Sequence, residues 1–411
     1  MAAQTPLPAR ERPGSPSAAD RAAIQELLDR RAAAVLSRSR RDFVGSMLPG
    51  SQRFARRQRR AFDSLGDLPL ASYRLVAAWD RFGDLSRPSD LDRYPNAEDV
   101  AITTVEERFR IRGFDRFESL EDLFLTFIKV RGRWLIAADS DVADIGFRSA
   151  RHLWDFGQLH AERGKRFLAL GHDCAGPGAL CGSAAESILS TAERALDQVD
   201  DYWRGAADLR VAIFVPADSQ ELQRLLQATF DPEEFVAFAY FTLDPHAEYR
   251  FTGNRIVFNY ASLATRSAAD VYRVLVHELT HIATRAEAGP LIPVFVDEGI
   301  AEYVSYRGDP GSLSFLESQI ASGGFDRRLP HDYEFLTGSF ESIYESYQEA
   351  QSAVGFFVER WGLDAFVRFY RSLGRVAVAP GTTRYHVSRA LQRSIGMGWR
   401  SFEQAWADSI G

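Results

Sequence analysis

The sequence predicts an α+β protein in two parts, and three observations carry that prediction. Helical periodicity opens the chain, strand-like runs fill residues 73–140, and helices dominate from Ala268 onward. At 411 residues the chain exceeds what one hydrophobic core usually supports. The expected division is a lead over 1–17, a small α+β unit over 18–147, and a largely helical unit with a small sheet over 148–411.

The opening "MAAQTPLPARERPGSPS" is rich in Pro, Ser and Arg and has no apolar stretch, so it reads as a disordered lead without a signal peptide. From Ser17, "SAADRAAIQELLDRRAAAVLSRSRR" spaces Ile24, Leu27, Leu28, Val35 and Leu36 for a helix, with Ser17 or Asp20 as its N-cap. A second helix is expected near 51–64, where Arg56-Arg57-Gln58-Arg59-Arg60 reads as a solvated face. Strands follow in "YRLVAAWD", "DVAITTVEERFRIRG", "EDLFLTFIKV" and "GRWLIAADS", the last two joined by a tight turn at Arg131-Gly132. "DVADIGFRSARHLWDFGQ" forms the junction. Beyond it come a helix at 185–203, a strand in "LRVAIFVP", a helix at 219–228, strands near "FVAFAYFTL" and "RIVFNYA", and then helices to the end.

A net charge of −7, with both signs mixed along the chain, argues against a nucleic-acid partner. No apolar window is long enough for a membrane span. Cys174 and Cys181 lie in "HDCAGPGALCGS", compatible with a disulfide in an oxidising, extracytoplasmic setting and equally with two unpaired thiols.

The stretch "VLVHELTHIAT" places His277 and His281 one turn apart on one helix face, with ring nitrogens able to converge on a single ion. Glu278 stands about 100° around the helix from His277, in reach of a water at the metal without ligating. Such a string arises by chance on the order of once in a hundred chains of this composition. Its apolar flanks, Val274, Leu275, Val276, Ile282 and Ala283, mark a helix for burial. There each unpartnered polar group costs about 1–3 kcal/mol, and a metal removes that cost.

A hydrolytic zinc takes three protein ligands and keeps a fourth position open. In "AGPLIPVFVDEGIAEYVSY" a helix opens at Glu298, and Glu302 follows on the same face. A solvent-facing acidic stripe has the same spacing. Beside the two histidines, Glu298 is the expected third ligand and Glu302 the acceptor for a histidine N–H.

These residues resemble the gluzincin metallopeptidases, more closely the bacterial peptidase MA-like domains, in which H-E-x-x-H precedes a helix beginning E-G-x-A. Here that helix reads "DEGIAEY", with Glu298 in the third ligand's place, and the intervening 282–297 is shorter than in the best-known members. The resemblance implies zinc-dependent hydrolysis of a peptide or protein substrate, with Zn²⁺ on His277, His281 and Glu298 and Glu278 as general base. Aminopeptidase-type members also carry an oxyanion-stabilising tyrosine in a Y-x-x-G/A context. "ESYQEAQSAVGFFVERWG" offers Tyr347 for that role, with Tyr344 and His331 as other donors, and a plain core role for Tyr347 also fits.

The same resemblance implies that the strand in "NRIVFNYASLA" offers an edge to an extended peptide around Val257 and Asn259. Over 18–147, helices followed by strands ending on "GRWLIAADSD" resemble the cone-shaped NTF2-like (SnoaL-like) fold, which says little about activity. From a different class comes a catalytically idle, peptidase-like binding protein with a structural zinc. Competent residue types in every chemical role favour the enzyme.

Overall fold

The computed structural model describes residues 15–172, 180, 182–227, 236–244, 246–247, 250–259, 265–289, 291–307, 318–323, 327–374 and 383–410. Most of the expected lead, and the Cys174 and Cys181 pair, fall outside them. The Ser17 hydroxyl accepts the Asp20 N–H at 3.1 Å and caps α1 (Ala18–Ser37). Arg38, at φ 60°, stops that helix in the left-handed region. Ser39 then caps the short α2 (Arg40–Gly45), and α3 (Gln52–Ser64) follows.

Four strands come next: β1 (Leu70–Ala77), β2 (Asp99–Ile111), β3 (Ser119–Val130) and β4 (Arg133–Ala138), with the short helices α4 (Trp79–Phe82) and α5 (Pro88–Arg93) between the first two. They pair in sequence order as a curled antiparallel sheet. The turn at Arg131-Gly132 has φ of 53° and 70°, the positive pair that a two-residue primed turn requires.

After α6 (Leu153–Phe156), a second sheet uses β5 (Leu159–Arg163), β6 (Phe167–His172), β7 (Val211–Phe214), β8 (Ala237–Asp244) and β9 (Arg250–Phe258), with α7 (Ser183–Tyr202) and α8 (Ser219–Leu226) in the connections. Its spatial order is β5-β6-β7-β9-β8, and β6, β7 and β9 run parallel. The remainder is helical: α9 (Ala268–Arg285), α10 (Val294–Ser305), α11 (Phe340–Trp361), α12 (Leu363–Gly374), α13 (Thr383–Ile395) and α14 (Trp399–Ser409). The chain therefore has the α+β class expected from its sequence. No helix among the described residues is long and apolar enough to cross a membrane.

The second sheet is buried on both faces, and its strands sort their side chains by alternation. Phe167, Ala169, Val211, Ile213, Ile256 and Phe258 enter one core with α7, α9, α10 and α11. Leu168, Leu170, Ala212, Phe214 and Val257 enter the other, with α1, α3 and the first sheet. The N-terminal elements thus back the sheet whose front carries α9.

One expectation is corrected. β9 is an interior strand: Ala212, Ile213 and Phe214 of β7 pair with its Arg255, Ile256 and Val257, and β8 covers its other side. Asn259 N–H is also taken, by Val236 O at 2.9 Å. Val257 and Asn259 therefore offer no edge to a peptide. The edge strand on that side is β8, because the chain places its later strand inside.

Candidate metal centre

The centre is assembled by three helices. α9 begins on a reciprocal cap between Ser267 and Asp270, which frees its middle for packing. Leu275, Val276, Leu279 and Ile282 bury one face against the core, leaving His277 and His281 along its margin. Eight residues later Pro293 turns the chain into α10, whose first N–H is satisfied from outside by Asp332 at 2.9 Å. Glu298 follows in the second turn of that helix.

Gly299 sets the distance to α11. A Cβ built there would lie 2.6 Å from Ala350 O and 2.7 Å from Val354 Cγ2, so the two helices touch at a point only glycine permits. Tyr347, Ala350 and Val354 share one face of α11 at helical spacing. The contact that lodges Gly299 therefore also brings Tyr347 over the histidines, its ring centroid 6.4 Å from that of His277.

His277 Nε2 and His281 Nε2 stand 3.1 Å apart. Glu298 Oε2 lies 3.3 Å from the first and 3.2 Å from the second. Among the described residues these three form the one group of His, Cys, Asp and Glu that could hold a metal ion, their ligand atoms all within 4.8 Å. Behind them the other ring nitrogens are occupied: His277 Nδ1 meets Glu302 Oε1 at 3.0 Å, and His281 Nδ1 meets Asp297 Oδ2 at 3.3 Å. Tyr370 donates to Asp297 Oδ1 at 2.6 Å and fixes that carboxylate in turn.

This pattern fits a bound cation. With Nδ1–H directed to carboxylates, each neutral imidazole presents an Nε2 lone pair to the same point. Glu298 Oε2 is buried and receives no hydrogen bond of good geometry. Three lone-pair bearers facing one another need positive charge between them.

In the ion-free chain protons supply it. Burial disfavours imidazolium, yet Glu298 and Glu302 outweigh it and hold His277 well above the ordinary range. For His281, Glu298 and Asp297 overcome burial and raise it to about 10. Burial pushes the Glu298 carboxyl up, and the two histidines pull it well below its usual value. A metal held by His277, His281 and Glu298 would take the place of those protons.

The remaining predicted residues are placed as follows. Glu278 is buried, 8 % exposed, on the same helix as both histidines. Burial, reinforced by Glu298, Glu302 and Glu278, drives the Tyr347 phenol upward and keeps it protonated, with Phe335 packed against the ring. Tyr344 turns outward beside Tyr306 at 37 % exposure. His331 stands at the start of the turn Asp332–Phe335 and stacks on Tyr333. Asp297 is the residue that sequence reasoning misses: two histidines at a metal would need two acceptors for their Nδ1–H groups, and the sequence pattern points to Glu302 alone.

No family model matches the chain, and no curated protein matches it. The metal group rests on its own geometry.

Proposed function

We propose that the chain is a zinc-dependent peptide hydrolase of the gluzincin, peptidase MA-like kind. The observation that carries this reading is the convergence of His277 Nε2, His281 Nε2 and Glu298 Oε2 while both Nδ1 atoms are held by carboxylates. Two histidines and one carboxylate are a donor set of catalytic zinc, with a position left for substrate or water.

His277, His281 and Glu298 would hold the ion. When bound, zinc supplies Lewis acidity toward a water and a scissile carbonyl. Glu278 takes the proton of the attacking water and returns it to the leaving amine nitrogen. It is buried on the same helix as the two histidines, next in sequence to His277. The Tyr347 hydroxyl, still protonated, donates to the oxyanion that develops on the substrate carbonyl, a contact worth several kcal/mol at comparable sites. Glu302 and Asp297 keep each imidazole in the tautomer that leaves Nε2 free.

The test is hydrolysis of casein and of a peptide library, with and without chelator, by the full chain and by Glu278→Gln. Chelator-sensitive cleavage that falls by at least about a thousandfold in Glu278→Gln, with zinc retained, is expected. Undiminished turnover in the variant refutes the base assignment. Zinc binding without cleavage of any substrate points instead to a peptidase-like binding protein.

A further inference from the structure

Four buried arginines are described in this chain, and three are satisfied. Arg255 forms a double contact with Asp115 at 2.6 and 2.7 Å. Arg166 reaches Glu193 and Asp197 at 2.5 and 2.7 Å, and Arg31 reaches Ser46 at 2.6 Å and Phe43 O at 3.3 Å. Arg285, only 8 % exposed, is the exception. Its Nη1 is buried without a hydrogen-bond partner, and the guanidinium makes no ion pair with any described residue.

What does hold Arg285 leaves its donors unused. The guanidinium carbon lies 3.6 Å from the Phe241 ring centroid, on the edge strand β8, and 5.9 Å from that of Phe251. Stacking engages the face of the guanidinium, and the C-terminus of α9 favours its charge. Neither uses the in-plane N–H fork, whose geometry matches a carboxylate. Burial lowers the Arg285 pKa to about 10, against the pull of Asp297 and Glu278, and leaves it charged at neutral pH.

Its position says what that fork is for. Arg285 follows His281 by four residues, one turn along the same face, a rise of about 6 Å. Its charge feels Asp297, the carboxylate that meets His281, and Glu278, so the guanidinium stands in the field of the candidate metal centre. An extended peptide advances about 3.4 Å per residue. A carboxylate at Arg285 would therefore lie one or two residues from a bond held at the metal.

We propose that Arg285 anchors a carboxylate of the substrate, within two residues of the cleaved bond. The proposal rests on the hydrolase reading above and adds a substrate class: peptides bearing a negative charge there, from the C-terminal carboxylate or from an acidic side chain. Arg285 is then a specificity residue, outside the proton-transfer and metal-binding set.

The experiment measures binding of three probes by calorimetry to the full-length chain carrying Glu278→Gln, both zinc-loaded and chelator-treated. The probes are N-acetyl-Ala-Phe-Ala-Ala with a free C-terminus, its C-terminal amide, and that amide with glutamate at the third position. The anchor predicts that at least one carboxylate probe binds about tenfold or more tighter than the plain amide, and which one does so identifies the source of the charge. Arg285→Met removes that preference and leaves amide affinity unchanged. Chemical denaturation supplies a second readout: Arg285→Met leaves stability of the metal-free chain unchanged or raises it, because an unpartnered buried charge is removed.

Equal binding of carboxylate and amide, no binding of either carboxylate, a preference that survives Arg285→Met, or marked destabilisation by that substitution each overturns the anchor. Zinc content of the same samples reports on the metal site separately. An anchor lost with zinc retained leaves the hydrolase reading standing, and a preference that persists without zinc binding does the reverse.

Discussion

Gly299→Ala is the perturbation that most sharply probes how the fold builds the centre. The added Cβ would sit 2.6 Å from Ala350 O and 2.7 Å from Val354 Cγ2, with the rest of the Ala350 carbonyl at 3.0 Å. Backbone on one side cannot rotate away. Relief to even 3.0 Å requires α10 and α11 to part by about 0.4 Å or more, and overpacking of this kind costs about 1–3 kcal/mol.

Alanine's better helix propensity offsets about 1 kcal/mol, so the comparison should be with Gly355→Ala, where the new methyl finds the Tyr303 ring at an ordinary 3.6 Å. Denaturant unfolding of the metal-free proteins should show Gly355→Ala neutral or stabilised and Gly299→Ala lower by about 1–3 kcal/mol. Glu298 neighbours the forced contact, and metal sites tolerate only about ±0.2 Å in ligand distance. Zinc affinity, read by competition with a chromophoric chelator, should fall by about 10- to 100-fold in Gly299→Ala and hold in Gly355→Ala. Equal stability of the two variants would refute the close-packing argument. A stability loss with unchanged zinc affinity would show that this contact does not position Glu298.

Other expectations follow from the carboxylates and from a buried pair elsewhere. Asp297→Ala and Glu302→Ala should each weaken zinc binding by about 10- to 100-fold while leaving the three ligands in place, measured by the same competition. Unaltered affinity in both would remove them from the site. Outside the centre, His152 Nε2 meets Glu107 Oε2 at 2.7 Å in the core between the two sheets. Burial opposes both charges, but Glu107 raises His152 above its ordinary value and His152 draws Glu107 below its own. The His152 contribution is complete below about pH 6.5 and fades as pH rises through its elevated value. The Glu107 contribution is complete above about pH 4.3 and fades as pH falls through its depressed one. The stability deficit of His152→Gln, about 3–5 kcal/mol for a broken buried pair, should therefore be greatest between those limits and shrink as pH rises through the elevated His152 value. A deficit that does not fall at any alkaline pH where the parent stays folded contradicts the coupling.

The legible parts of this protein were those written in local spacing. Helical period placed His277 and His281 on one face, and "DEGIAEY" put Glu298 within a short connection of them. Positive-φ chemistry at Arg131-Gly132 and strand alternation around it gave the first sheet. Features that depend on what lies across space were not legible. β6 is not legible, because "FLAL" buried on both faces shows no alternation to distinguish it from a helix fragment, and the short β5 is recognisable only as its antiparallel partner. The inward position of β9 follows from a parallel pairing with β7, and sequence order is silent about such crossovers. Asp297 became visible as the partner of His281 only when α10 lay against α9. Arg285 would read as an ordinary cation in a last helical turn, and its lack of a partner is a property of the packed chain alone.

The central claim is that His277, His281 and Glu298 hold a metal ion. Its most direct test is elemental analysis of the purified full-length chain and of Glu298→Ala after supply of zinc and exhaustive dialysis. The account predicts about one zinc per chain in the parent and a sharply reduced content in the variant. A parent chain that retains no zinc contradicts it.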